Sequence, residues 1–414
     1  MKRITAEIVK RQRSTCDNDT LIAKCLQFLQ AKEGGLGTMI TDLDDDDDLH
    51  EHVECIILEE PCDSKSEFDN LEFTWYVYSL NKFGGQAEHL DEGSDENSIT
   101  LFTSWPLPAL EFHGLWENLI YDTTIKKDLL QYVSTMMIFS EKGVDPNVVC
   151  SNRVVLLHGP PGTGKTSLSR ALAQKLSIRL QRRYRNAQLV EINSHSLFSK
   201  WFSESGKLVS RLFARIHEMV EDPTMLVCVL IDEIESLAHA RAQCMSGNEP
   251  SDSIRVVNAV LTNIDQIKRY PNVLILTTSN MTAAIDIAFV DRADIKQFVG
   301  LPSLYASYQI YYSCVLELMR KELIVPTEVI LPVSVMQISN LEKNCTCANS
   351  KELMNICQMS QGFSGRTIRK VPVVAHALYT STDTVSLQKF LDCLVRAVEY
   401  LKKEKDQFDK QAVC

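Results

Sequence analysis

The chain has 414 residues, which at about 150 residues per domain allows two to three domains. Hydrophobic residues make up 45% and charged residues 23%, a composition of globular proteins able to bury a large core. Acids outnumber bases, 54 to 43, and the net charge of -11 argues against a whole-chain nucleic-acid binder, which would be basic.

No apolar run approaches the ~20 residues that span a bilayer, and no hydrophobic leader follows Met1-Lys2-Arg3. The first 13 residues hold five bases and one acid, but no Ser-rich amphipathic helix follows to complete a transit peptide. The 13 cysteines are scattered singly, many in apolar stretches such as those of Cys228, Cys314 and Cys393. There a reduced thiol packs as a small hydrophobe, so an intracellular, reducing setting is expected. Cys345-Thr346-Cys347 has no second pair and no nearby His, and reads as a loop before a helix, not as a zinc site.

In chain order, residues 19–32 read as a short amphipathic helix with Leu21, Ile22, Cys25, Leu26, Phe28 and Leu29 at helical spacing. Strand-like runs follow at Val53 to Leu58 and Phe73 to Tyr78. Residues 1–104 are therefore expected to form an N-terminal α+β domain. Between 41 and 70 lie 13 acids and one Lys; there the run Asp44 to Asp48 reads as a solvated loop, its other reading being a cation or basic-partner site, and Gly84 to Ser98 reads as a second polar loop. Glu111 to Tyr121 is an aromatic-rich connector, and Ile125 to Phe139 is helical in pattern. From Arg153 apolar runs alternate with helical segments, as in βαβ units of a parallel sheet. The buried-strand candidates are Val154–Leu157, Gln188–Ile192, Leu226–Ile231 and Val273–Thr277. The expected fold is α/β: a large domain at 105–300 with helices on both sheet faces, and an all-helical domain at 301–414. Helices are expected there at 304–321, 350–359, 364–379 and 386–403.

Gly159-Pro160-Pro161-Gly162-Thr163-Gly164-Lys165-Thr166, followed by Ser167, matches the phosphate-binding P-loop pattern between a strand and a helix. Glycines let backbone N–H groups turn inward around phosphate oxygens, and the helix N-terminus adds positive potential. Lys165 is suited to the β- and γ-phosphates, and the Thr166 hydroxyl to Mg²⁺. The run Val227-Cys228-Val229-Leu230-Ile231 delivers Asp232 and Glu233 to a strand's C-terminal edge, where ligands of open α/β sheets bind. Asp232 is expected to hold Mg²⁺ and Glu233 to polarise an attacking water. Asn280, after the fourth strand, is placed to orient that water. ATP hydrolysis is the expected activity.

With these three motifs in order the chain resembles the AAA+ ATPases, and more closely the family of pachytene checkpoint protein 2 homologues. The residues carrying the closer likeness include Glu111 to Trp116, Arg153 to His158, Glu191 to Lys207, Glu249 to Asp252, Ile254 to Leu261 and Phe289 to Gln297. The likeness is strong over 105–300, looser around Gly362 to Tyr379, and weak in the first hundred residues. It implies that Arg366 reaches bound phosphates from the helical lid, its planar fork suiting two phosphate oxygens. It implies that Lys200, Trp201 and Phe202 line a central pore, and that Arg292 completes a neighbour's active site. Many relatives carry a second Arg where Phe289 stands, so Arg292 is the single candidate; its other reading is an ion pair with Asp291 or Asp294.

The resemblance further implies a ring, hexameric as in the family, that uses ATP and Mg²⁺ to open closed HORMA-domain proteins. The N-terminal third would dock the client with a HORMA-like adaptor, its acidic loops steering a basic surface. The implied settings are meiotic chromosome-axis control and the spindle assembly checkpoint, hence nucleus, chromosomes and cytoplasm. Two alternatives stay open. A nucleic-acid motor could use the basic run Arg179 to Arg185. A non-catalytic scaffold could bind ATP only to assemble. A membrane-bound protease is not expected, since no apolar span is present and His217-Glu218 lacks a second zinc-binding His.

Overall fold

The computed structural model describes residues 2–32, 37–43, 47–60, 71–90, 99–145, 147–194, 205–236, 252–280, 287–338 and 347–412. They form two compact units. One comprises 1–119, 127–157 and 166–297, the other 120–126, 158–165 and 298–414.

The first unit contains a four-stranded sheet built from β1 (Lys2–Lys10), β2 (Met39–Ile40), β3 (Val53–Leu58) and β4 (Leu71–Tyr78), in the order β2-β3-β1-β4. β1 lies between β3, antiparallel, and β4, parallel. Alternation along β1 sends Ala6 and Ile8 to one face, where they pack with Leu21, Cys25 and Leu29 of α1 (Asn18–Ala31). Asp17 caps α1 by accepting from the Thr20 N–H at 2.8 Å. Helix α2 (Asp47–His52) precedes β3. On the opposite face Val9, Cys55, Ile57 and Tyr78 close around Ile178.

The large sheet has seven strands: β5 (Gln86–Leu90), β6 (Ile99–Leu107), β7 (Val154–His158), β8 (Asn186–Asn193), β9 (Met225–Asp232), β10 (Val273–Ser279) and β11 (Ile295–Phe298). Their order is β11-β7-β10-β9-β8-β6-β5. β8, β9 and β10 run parallel, and every residue of β10 is buried, as a strand covered on both faces requires. Further helices of this unit among the described residues are α3 (Leu115–Asn118), α4 (Ile125–Glu141), α5 (Lys165–Arg179), α6 (Ser205–Val220), α7 (Asp252–Ile267) and α8 (Ile287–Arg292). Leu212, Phe213 and Ile216 of α6 and Val257, Val260 and Ile264 of α7 join one core with β8, β9 and β10.

The sheet is not wholly parallel. β6 pairs antiparallel with β8, and β5 antiparallel with β6. The expected boundary at 104/105 therefore falls inside a strand of the large sheet, and part of the expected loop at Gly84 to Ser98 is β5. The first strand of the small sheet was concealed by its charges, which read as a targeting-like run.

One helix joins the two sheets of this unit. α5 presents Gln174, Lys175, Ile178 and Arg179 to the N-terminal part of the chain. The Gln174 amide accepts from Ala109 N at 2.8 Å and donates to Ala109 O at 3.0 Å. The Lys175 ammonium lies 2.6 Å from Glu7 Oε2 and 2.8 Å from Glu117 Oε1. Burial opposes its charge, yet the two carboxylates hold its pKa above the ordinary lysine value. Arg179 donates to the Thr5 hydroxyl and stacks over the Tyr76 ring at 5.1 Å.

The second unit is helical: α9 (Leu304–Arg320), α10 (Val333–Ile338), α11 (Ala348–Met359), α12 (Gly365–Tyr379) and α13 (Leu387–Ala412). Tyr308, Tyr311, Leu353, Ile368, Phe390 and Leu394 are among its core residues. Ser303 caps α9 and Ser364 caps α12 through their side-chain oxygens. Cys347 stands at the N-cap of α11, consistent with a loop before a helix; Cys345 and Thr346 lie outside the described residues. Among the described residues no helix is long and apolar enough to cross a membrane.

Candidate functional site

The phosphate loop clusters with the helical unit. Gly159 and Gly162 have φ of +142° and +77°, in the range that an L side chain resists. A Cβ at Gly159 would overlap the Val299 carbonyl oxygen, and one at Gly162 would lie 2.6 Å from Ser364 Oγ. The loop is thus fitted against the Val299 backbone and the Ser364 side chain of its own unit. The Arg366 N–H donates to Gly162 O at 3.1 Å, which sets the first turn of α12 on the loop. The Lys165 ammonium is buried and donates to Gly159 O at 2.8 Å and Pro160 O at 2.7 Å. Thr163 Oγ1 donates to Pro160 O, and the Tyr121 hydroxyl reaches the Thr163 and Gly164 carbonyls at 3.5 Å. Burial raises the Tyr121 pKa, keeping it a neutral donor. His158 sits beside Phe298, and burial together with the Lys165 ammonium lowers its pKa.

Next to the loop is a cleft of about 210 Å³, lined among others by Ile120, Tyr121, Phe298, Val299, Leu301 and Ile310. The sequence reading missed it, because its walls come from several stretches far apart in the chain. The turn at Ile120 and the stretch after β11 carry no pattern that marks them as a binding surface.

The acidic pair belongs to the first unit. The β9–β10 ladder runs to Ile231 and Thr277. Beyond it Glu233 adopts φ +59°, a left-handed conformation rare for a non-glycine residue and a frequent mark of functional sites. Past the ladder one backbone bond, from the Ile234 N–H to Thr278 O at 2.9 Å, is joined by side chains. Asp232 Oδ1 accepts from the Thr166 hydroxyl at 2.9 Å and from the Thr278 hydroxyl. Thr278 Oγ1 accepts from the Glu233 N–H at 3.1 Å. Ser194 donates to the carbonyls of Asp232 and Glu233. The Asn280 side-chain amide donates to Glu233 Oε1 at 3.3 Å. Thr166, Asp232, Glu233 and Asn280 are thus brought together as expected, and Thr278 and Ser194 are additions that the sequence did not mark. Lys165 is followed directly by Thr166, so the chain passes from the loop into this cluster within one residue.

Arg292 forms a two-pronged pair with Asp265, at 3.1 and 2.8 Å, and donates to Ala288 O. Its partner is neither Asp291 nor Asp294; Asp294 instead accepts from the Asn152 and Val154 N–H groups. Phe289 is buried in the core. Lys200, Trp201 and Phe202 lie outside the described residues. Two arginines of the basic run are engaged within the protein, Arg179 as above and Arg183 with Met137 O and Glu141.

A strand–loop–helix phosphate loop, an acidic pair on a central parallel strand and a polar residue ending the neighbouring strand define an AAA+ ATPase. Residues 155–301 match the family described as ATPase family associated with various cellular activities (AAA), and 303–402 match the TRIP13-like, AAA+ ATPase lid C-terminal domain. The chain is 47% identical to the Pachytene checkpoint protein 2 homolog of Gallus gallus, covering 100% of this chain and 95% of that protein. It is 54% identical to the Homo sapiens homolog over 78% of this chain and 74% of that one. The solved structure of C. elegans PCH-2 aligns with a TM-score of 0.78 at 36% identity, covering 97% of this chain and 100% of that one. The Trip13-containing structure of an E. coli MS115-1 HORMA:CdnC:Trip13 complex aligns with a TM-score of 0.54 at 19% identity, covering 72% of this chain and 97% of that one; this shows the fold alone. The chain belongs to the pachytene checkpoint protein 2 family, and it is an ATP-binding ATP hydrolase.

Proposed function

We propose that this ATPase assembles into a ring, hexameric as expected, that opens closed HORMA-domain proteins by pulling an extended segment through its centre. Near-full-length identity to the Pachytene checkpoint protein 2 homolog of Gallus gallus carries the reading. The name of the solved HORMA:CdnC:Trip13 complex supports the client class. Lys165, the loop amides and Arg366 bind the phosphates, and the cleft beside Tyr121 takes the base. Glu233 polarises the attacking water while Asn280 orients it. Thr166 and Asp232 would hold Mg²⁺: a hydroxyl and a carboxylate oxygen, 2.9 Å apart, are the hard oxygen donors that ion prefers. When bound, it supplies positive charge against the charge developing on the transferred phosphate.

Arg292 acts on a neighbour's nucleotide, which requires it to leave Asp265. Lys200, Trp201 and Phe202 grip the client by sequence-tolerant contacts, and the N-terminal α+β part docks client and HORMA-like adaptor. The setting is the nucleus and chromosomes, with a cytoplasmic pool, in meiotic chromosome-axis control and the spindle assembly checkpoint. Engagement of Arg179 and Arg183 within the protein disfavours the nucleic-acid motor.

The test is steady-state ATP turnover with and without a closed HORMA-domain protein and its adaptor, in wild type, Trp201→Ala and Glu233→Gln. Stimulation in wild type, lost in Trp201→Ala, is expected. Glu233→Gln is expected to bind ATP and lose at least ~100-fold in turnover. Wild-type turnover indifferent to the client would overturn the client assignment and leave the ATPase standing.

A further inference from the structure

Two residues past Glu233, the carboxylate of Glu235 is more than nine-tenths buried. Its Oε1 accepts from the backbone N–H of Asn280 at 3.1 Å. Its Oε2 is also buried, and among the described residues it has no hydrogen-bond partner. Asn280 is therefore held at both ends by glutamates: its backbone by Glu235 and its side-chain amide by Glu233. The ladder between β9 and β10 ends at Ile231 and Thr277, and β10 itself ends at Ser279, so Asn280 lies beyond the strand.

We propose that Glu235 is a positioning residue for ATP hydrolysis, acting as the hydrogen-bond acceptor that fixes the Asn280 backbone and so aims its amide at Glu233. A buried carboxylate with one unsatisfied oxygen costs stability, and a polar or apolar residue of similar size would cost less. Its presence next to the reacting centre therefore has a reason other than stability. Past Glu233, which is in a left-handed conformation, one backbone bond from the Ile234 N–H to Thr278 O at 2.9 Å still ties the two strand ends, but it stops two residues short of Asn280. The Thr278 bonds fix Asp232 and the Glu233 backbone, and Glu235 fixes the other partner of the Glu233–Asn280 contact. What Glu235 contributes is the acceptor oxygen at the right reach, not the charge.

Two conservative variants separate these ideas. Glu235→Gln keeps the reach and an acceptor oxygen but removes the charge. Glu235→Asp keeps the charge and withdraws the oxygen by one methylene. With full-length protein, kcat and KM for ATP are measured, together with the affinity for a fluorescent ATP analogue. Glu235→Gln is expected within about threefold of wild type in kcat. Glu235→Asp is expected to lose 10–100-fold, roughly the penalty for a misplaced catalytic group, with KM and analogue affinity unchanged within about twofold. In an Asn280→Ala background, Glu235→Asp is expected to cost less than about threefold more, because the residue it positions is gone.

The proposal is overturned if Glu235→Gln is as inactive as Glu233→Gln, which would make Glu235 a charge-bearing or proton-accepting group. It is overturned equally if Glu235→Asp leaves kcat unchanged, raises KM alone, or loses the same factor with and without Asn280. A merely structural role would lower the unfolding temperature of Glu235→Asp with kcat per folded protein unchanged. Wild type must turn over ATP for any of these readings, so a failed ATPase assignment is told apart at the first control.

Discussion

Lys175→Met should show how much the join between the small sheet and α5 matters to the folded chain. The substitution keeps the length of the stem and removes the ammonium. The three side chains concerned are nearly sealed from water: Lys175 is 6% exposed, Glu7 3% and Glu117 11%. Two carboxylates would be left facing each other, with Arg179, 3.7 Å from Glu7 Oε1, as the nearest remaining cation of the group. Breaking a buried pair by deleting one partner costs about 3–5 kcal/mol, because the stranded charge cannot recover its hydration. At about 2–4 °C per kcal/mol, the unfolding midpoint should fall by roughly 6–20 °C. Thermal unfolding followed by circular dichroism reads this directly. The triple variant Lys175→Met, Glu7→Gln, Glu117→Gln removes all three charges and should recover most of the loss. A fall below ~2 °C in the single variant, or a triple variant as unstable as the single, would refute the reasoning.

The same group sets an alkaline limb. The folded pKa of Lys175 is raised above the unfolded value of about 10.4, so its contribution is complete below that pH and is lost as pH rises through the folded pKa. As pH rises above about 10.4, urea midpoints should therefore fall more steeply in wild type than in Lys175→Met. Gly159→Ala places a Cβ against the Val299 carbonyl oxygen at a φ of +142°, and should weaken nucleotide binding at least ~10-fold in a fluorescent-nucleotide titration. Thr278→Val is nearly isosteric but removes a donor to Asp232 and an acceptor for the Glu233 N–H. It should lower kcat ~10–100-fold with nucleotide affinity within about threefold; unchanged kcat would show that the hydroxyl does not hold the acidic pair.

The nucleotide loop and the four central strands were legible because their physics is local. Glycines are required where φ is positive, and a strand covered on both faces must be apolar throughout. β1 was not legible: its alternation of Ile4, Ala6 and Ile8 is interrupted by charges, and Glu7 finds its partner 168 residues away. β5 was hidden in a polar stretch because it extends an antiparallel edge. Thr278 and Glu235 could not be read either. Their roles exist only because Glu233 leaves the strand conformation, which no residue type at that position announces. The partner of Arg292 was misplaced for a related reason. Helix α7 returns Asp265 to it from 27 residues back, while Asp294 is taken up by Asn152 and Val154.

The position of β1 inside the small sheet has a practical consequence for how this chain is cut. A fragment trimmed to the matched residues 155–402 would keep the loop, the acidic pair, Asn280 and Arg366. It would also uncover Ile178 and leave Lys175 with neither carboxylate, on the very helix that starts at Lys165. Such a fragment reports on a damaged helix, not on an autonomous motor. By the same coupling, sequence variants among the first ten residues, far from any phosphate, should register as changes in ATP turnover.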